Sequence, residues 1–187
     1  MRQDKDDATD RRSRILEGAG KAFLRFGFER ASLADIAAGS GVSRTALYHY
    51  FPGKDEILCA VVEELHLRTL TAANDALQKS QTLEAALIGL LDAKFGRTLA
   101  LITESPHAVE LVDATHRLSG QATQAADEAF QALVVKALKR HGRGQDVHGV
   151  ADTLIAAAKG LMRSGDVHVS KAKFDERIHR LVAWAVN

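Results

Sequence analysis

An all-helical fold follows from three features of the sequence. Only two prolines interrupt 187 residues. Alanine and leucine are abundant and β-branched clusters few, a balance that favours helix. Apolar residues recur at three- and four-residue steps along most of the chain, the spacing of one helix face. The pattern predicts about nine helices, the first three forming a unit with a helix-turn-helix. The length suffices for one or two compact units with a real core.

The first helix is expected from Arg11 to Phe26, with Ile15, Leu16, Ala19, Ala22, Phe23 and Phe26 on its apolar side. Gly27 closes it, and Phe28 can pack back beneath the unit. Arg11, Arg12 and Arg14 stand at its N-terminal end, where they oppose the helix dipole. Nearby phosphates would offset that cost.

Residues 32–54, SLADIAAGSGVSRTALYHYFPGK, hold two short helical patterns joined by a glycine turn. Ser32 with Asp35 three residues on is a capping-box-like start. Leu33, Ile36 and Ala37 give the first pattern its apolar side. Gly39 and Gly41 stop it, because glycine tolerates the left-handed conformation of helix ends. Val42 can anchor the turn, Ser43 can cap the next helix, and Ala46 and Leu47 can face inward. Arg44, Thr45, Tyr48 and His49 are left facing outward. A helix of about two turns is not stable alone. It suits the recognition helix of a helix-turn-helix, whose first residues meet base edges in the major groove.

Charge supports that assignment. The formal net charge of the chain is only +1, but from Arg11 to Lys54 there are eight bases against three acids, a net of +5. The first ten residues carry −2, and residues 55–187 carry −2. Positive charge is concentrated where phosphate neutralisation would supply affinity.

Beyond this unit, one helix is expected from Lys54 to Leu77. The next carries Leu83, Leu87, Leu90, Leu91, Phe95 and Leu99. Ser105-Pro106 resembles a cap followed by proline at the first helical position, opening a segment through Leu118. A further helix with Ala122, Ala126, Phe130, Leu133, Val134, Ala137 and Leu138 ends near Gly142, and Gly142 with Gly144 makes a boundary. Two apolar stripes follow. One is Val147, Val150, Ala151, Leu154, Ile155, Ala158, Leu161 and Met162; the other is Phe174, Ile178, Leu181, Val182 and Ala185, with Trp184 alongside. Ordinary core packing explains both, and so does pairing with a second copy.

Other function classes find little support. No apolar run approaches the roughly 20 residues of a membrane span, and the charged N-terminus lacks a signal-peptide core. One cysteine, Cys59, excludes an internal disulfide framework and fits a reducing cytoplasm; a small buried apolar residue is its simplest role. Glu63-x-x-His66, Glu104-x-x-His107 and Glu176-x-x-His179 match the ligand spacing of di-iron bundles. With eight histidines and 24 acids, chance explains such spacings. Neither a phosphate-binding loop nor a serine-nucleophile elbow is present, and no metal or cofactor is expected.

The order Ile15-Leu16, Phe23, Gly27, Ser32, Asp35-Ile36-Ala37, Gly41-Val42-Ser43, Leu47-Tyr48-His49-Tyr50-Phe51 and Lys54 resembles the N-terminal signature of TetR-type transcriptional regulators. The resemblance covers roughly residues 10–60. It implies a DNA-binding domain at residues 1–55, then a helical effector-binding and dimerisation domain at 56–187. It implies that Ser32 contacts backbone phosphate and that Ser43, Arg44 and Thr45 open the recognition helix. Arg44 is best placed for a base edge, arginine on guanine being the commonest specific contact. Tyr48 and Tyr50 would grip phosphates, His49 a base or phosphate, and Lys54 a phosphate, with Phe51 in the core. Two positions depart from the family pattern: Thr45 stands where glycine is common, and Gly53 where a capping serine is usual.

By the same resemblance the last two helices pair with a two-fold mate. The expected interface is Val147, Val150, Ala151, Leu154, Ile155, Ala158, Leu161, Phe174, Ile178, Leu181, Val182 and Ala185. Ala157, Ala158 and Gly160 would permit close approach. An effector pocket is expected with Leu87, Leu91, Phe95 and Leu99 as apolar wall and His66, His107, His116 and Arg117 as polar handles. The implied function is a homodimeric cytoplasmic repressor, released from double-stranded operator DNA by a small-molecule effector. The alternatives are a helical-bundle metal enzyme using the Glu-x-x-His pairs, or an architectural DNA-binding protein that takes no effector.

Overall fold

The computed structural model describes residues 2–142, 146–164 and 167–186. Among them are nine α-helices: α1 (Arg2–Phe26), α2 (Leu33–Ser40), α3 (Arg44–Tyr50), α4 (Lys54–Lys79), α5 (Leu83–Leu91), α6 (Arg97–Glu104), α7 (Ala108–Arg140), α8 (Val147–Leu161) and α9 (Lys171–Val186). The protein is all-α. Its only described strands, β1 (Arg163–Ser164) and β2 (Val167–His168), form a two-residue antiparallel pair between α8 and α9.

The chain divides into two compact units. The first is Met1–Leu65 together with Ser105–Thr123; the second is His66–Glu104 together with Gln124–Asn187. The core of the first is built on Ile15, Leu16, Phe23, Phe28, Ile36, Leu47, Phe51 and Ile57, with Ala114 of α7 among them. Gly18 allows α1 and α2 their close approach: a Cβ there would lie 2.8 Å from the backbone nitrogen of Ser40. The second core gathers Leu77, Leu87, Leu90, Leu91, Leu99, Phe130, Val134, Leu154, Phe174, Ile178 and Val182.

Four elements differ from expectation, each for a physical reason. Helix α1 starts at Arg2, nine residues before the expected start at Arg11. Its early turns carry no apolar stripe that a periodicity argument could detect. The helix expected across Leu83–Leu99 is interrupted by a π-helical turn, Asp92–Gly96. Ion pairs hold this wider turn: Lys171 of α9 lies 2.8 Å from Asp92, and Asp127 of α7 lies 2.6 Å from Lys94. Pro106 sits in a turn rather than at the first helical position, and α7 begins at Ala108. The break expected near Leu118 is a kink at Ser119, whose φ of −126° and ψ of 23° are not helical. The boundary glycine Gly142 has φ +79°, while Gly144 lies outside the described residues.

Candidate nucleic-acid interface

The helix-turn-helix is assembled by contacts between near neighbours. The Ser32 side chain accepts the Asp35 N–H at 3.2 Å, and the Asp35 carboxylate accepts the Ser32 N–H at 2.9 Å, a reciprocal capping box. The Ser32 hydroxyl, and then its amide, hold the Asp35 carboxyl below its ordinary pKa. At the other end of α2, Gly41 adopts φ +65°, and the Val42 N–H reaches the Ala37 carbonyl at 3.1 Å. That left-handed residue turns the chain into α3, whose first turn is capped by the Ser43 hydroxyl on the Ala46 N–H at 3.1 Å.

Seven residues of helix are then fixed from below by Leu47, which is fully buried. Arg44, Thr45, Tyr48 and His49 are exposed and Tyr50 is half-buried. Phe51 is in the core, with the Arg12 guanidinium 5.5 Å from its ring centre. That contact ties a base of α1 to the end of α3, and no local spacing in the sequence indicates it.

Lys54 is placed differently from its neighbours. Its ammonium donates to the carbonyls of Phe28 at 2.7 Å and Glu29 at 3.0 Å, and lies 4.7 Å from the Phe28 ring centre. An ammonium has three donors, and two of them are engaged by these carbonyls. The side chain is first a brace for the turn after α1.

In the stripes of α8 and α9, Val147, Ala151, Leu154, Ala158, Phe174, Ile178 and Val182 are each at most 8% exposed and packed in the chain's own core. Ile155, Leu161, Leu181 and Ala185 are partly buried against it. Val150 and Trp184 remain clearly exposed, Trp184 at 81%.

The expected effector residues are shared between the two units. In the second, Leu87, Leu91 and Leu99 are fully buried and Phe95 is 6% exposed, its ring edge-on to Phe130 at 6.2 Å. His66 is half-buried, and its pKa is lowered by burial and by the Lys94 charge, against the opposing pull of Asp127. In the first, His116 is exposed, Arg117 lies 3.5 Å from the Glu29 carboxylate, and His107 lies 3.8 Å from that of Glu110. A surface groove of about 370 Å³ occurs in the second unit, lined by Leu67, Arg68, Thr71, Ala72, Asp75 and Arg97. Sequence periodicity singled out none of these six, because the exposed side of an amphipathic helix carries no spacing signal.

The Glu-x-x-His pairs do not gather. Glu63 is exposed beside half-buried His66, Glu176 pairs with Arg180, and the Glu104 side chain lies outside the described residues. Among the described residues no group of three or more potential metal ligands occurs, and no helix is long and apolar enough to cross a membrane.

Residues 15–61 match the family model described as bacterial regulatory proteins, tetR family. The chain is 27% identical over 178 residues to the HTH-type transcriptional regulator TtgR of Pseudomonas putida, covering 87% of this chain and 83% of that protein. It is 30% identical over 143 residues to the nucleoid occlusion factor SlmA of an Enterobacter species, covering 73% of this chain and 72% of that one. In fold it is similar to a TetR-family regulator from Streptomyces coelicolor, with a TM-score of 0.73, 20% identity and 95% of each chain covered. With its capped helix-turn-helix in the matched segment, the chain belongs to the TetR family and is a DNA-binding transcriptional regulator.

Proposed function

We propose that the chain is a repressor that binds a two-fold operator as a homodimer and leaves it when a small molecule binds the second unit. The observation that carries the DNA reading is the exposed row Arg44, Thr45, Tyr48 and His49 on a helix pinned by buried Leu47, inside the basic segment. Arg44 meets a base edge; Ser32, Ser43, Thr45, Tyr48, His49 and Tyr50 contact phosphate or base, and Lys54 offers its third N–H to a phosphate.

The mate packs on what the core of α8 and α9 leaves uncovered, chiefly Val150 and Trp184, with Ile155, Leu161, Leu181 and Ala185 at the margin. A two-fold dimer requires half-sites about one helical turn apart, or a multiple of it. Release by an effector requires tighter binding to the conformation that does not hold DNA. Helix α4 is the mechanical element for it, since it begins beside the reading head and ends in the second unit. A shift of a few ångströms at its start would spoil the match between half-site spacing and the DNA repeat. An apolar effector would open the core around Leu87, Leu91 and Phe95 with His66 as polar handle.

A second reading is a DNA-binding protein that takes no effector; the likeness to a protein named a nucleoid occlusion factor supports a role on DNA other than transcription. One experiment separates them. Sites are selected from random duplexes by the purified protein, and apolar and aromatic compounds are then screened for thermal stabilisation and for loss of site binding. Selection of a palindromic site, and compounds that do both, are expected. Absence of any selected site sinks the regulator reading; stabilising compounds that leave DNA affinity unchanged sink the effector mechanism.

A further inference from the structure

The turn that follows α1 and leads into α2 has no regular structure of its own, yet it is held by side chains from two other elements. Gly27 enters it with φ +80°, and a Cβ there would collide with the Glu110 carboxylate. Glu110 Oε1 accepts the Glu29 N–H at 2.7 Å. Ser105, buried at 8% exposure, donates its hydroxyl to the Leu24 carbonyl at 2.8 Å and accepts the His107 N–H at 3.1 Å. The Leu24 carbonyl is among the last four of α1, which lack partners within the helix. Lys54 takes the Phe28 and Glu29 carbonyls from the other side. Three residues beyond Glu29 stands Ser32, the cap that starts α2.

We propose that Glu110, in the first turn of α7, is a positioning residue for sequence-specific DNA recognition. It acts through the Glu29 amide to set the direction in which α2, and with it α3, leaves α1. A carboxylate repels phosphate, so Glu110 has no favourable role as a DNA contact. Its oxygen instead supplies a charge-assisted hydrogen bond, stronger than one between neutral groups. The glycine at 27 belongs to the same device, because the carboxylate occupies the space a side chain would need. Segment Ser105–Thr123 belongs to the first unit while the chain on both sides of it belongs to the second. A displacement of the start of α7 therefore reaches the reading head at Glu29. This last clause rests on the effector reading above; the positioning role does not.

The test compares wild type with Glu110→Ala, Glu110→Gln and Ser105→Ala on a site selected by the wild type and on a mixed-sequence duplex. Amide hydrogen exchange across Glu29–Ala31 is followed in parallel. For Glu110→Ala the expected result is faster exchange there and about a tenfold loss of specific affinity, the scale of one charge-assisted hydrogen bond. Non-specific affinity and its salt dependence should stay as in wild type, because no phosphate contact is removed. Glu110→Gln keeps a side-chain oxygen and should recover most of the loss. Unchanged specific affinity in a folded Glu110→Ala, or equal loss on both duplexes, overturns the proposal. Should that variant fail to fold, Ser105→Ala decides: it removes the hydroxyl that ties the residue ahead of α7 to the Leu24 carbonyl at the end of α1, and site affinity equal to wild type overturns the proposal. Selection of no site by the wild type would instead count against the regulator reading.

Discussion

In the first unit, α2 and α3 are bounded by contacts three residues long: Ser32 with Asp35, and Ser43 with Ala46. The second unit caps its helices as locally, Thr82 with Ala85 and Asp146 with Gly149, but its helices are also joined to one another by remote polar contacts. Lys94 meets Asp127 33 residues away, and Arg140 donates to the Leu77 carbonyl across 63. The apolar residues differ in the same sense. Helix α3 buries only Leu47 and leaves Arg44, Thr45, Tyr48 and His49 exposed, whereas α8 and α9 bury most of their stripes within the chain. A stripe marks a face that must be covered; it does not say by what. Candidate surfaces in the second unit must be sought among what the core leaves over.

The sharpest test of that comparison sets Leu154 against Trp184. Leu154→Asp would bury an unpaired carboxylate at a position 3% exposed. The expected cost is about 3 kcal/mol or more, seen as a large fall in Tm or loss of soluble protein. Trp184→Glu should leave Tm of the protomer nearly unchanged, since the ring is 81% exposed. It should weaken self-association by about 2 kcal/mol if the ring is an interface anchor. Sedimentation of both variants checks the pair. A folded, monomeric Leu154→Asp would break the comparison, and a Trp184→Glu dimer as tight as wild type would remove Trp184 from the interface.

Arg44 and Lys54 divide the first unit in the same way. Arg44→Ala removes an exposed side chain, so stability should hold while specific DNA binding falls by about 1–3 kcal/mol and preference relaxes at one base position per half-site. Lys54→Ala removes two hydrogen bonds and a cation over the Phe28 ring. It should lower protein stability by about 1–2 kcal/mol and weaken binding to all sequences. Thermal melts with selected-site binding distinguish the two. Unchanged base preference in Arg44→Ala would remove it from the base-reading role, and an unchanged melt in Lys54→Ala would deny the brace.

Legibility followed the range of the contacts. Caps, the left-handed Gly41, buried Leu47 and the outward row of α3 were all readable because each depends on residues within one turn. The helices of the second unit were readable as helices, since their stripes have the right period. The π-helical turn at Asp92–Gly96 was not, because its ion pairs come from α7 and α9. Nor was the part played by Ser105 and Glu110. Ser105-Pro106 carries a cap-like signal, but the Ser105 hydroxyl serves α1, 81 residues earlier. The expected effector handles illustrate the same limit: His107 and Arg117 have the right chemistry, yet they sit against Glu110 and Glu29 in the first unit.

The smallest expected effect concerns a pair of side chains with shifted pKa, one on either side of this divide. Asp35 is shifted by a partner three residues away, whereas His66 is shifted by burial and by Lys94 from another element. The sign for His66 is fixed by its direction. A histidine held neutral in the folded state binds fewer protons than in the unfolded chain. Its contribution to stability is therefore full above the ordinary value of 6.5 and declines as pH falls through the lowered folded value. Stability of the wild type should weaken below pH 6.5 by a small amount that His66→Gln abolishes. Removing the Lys94 charge in Lys94→Met should raise the His66 midpoint. Asp127→Asn, which removes the opposing charge, should lower it. Proton NMR titration of the ring reads all three. A wild-type midpoint at or above 6.5 would deny that burial holds the ring neutral, and one that ignores both substitutions would show that the remote charges of the second unit do not reach His66.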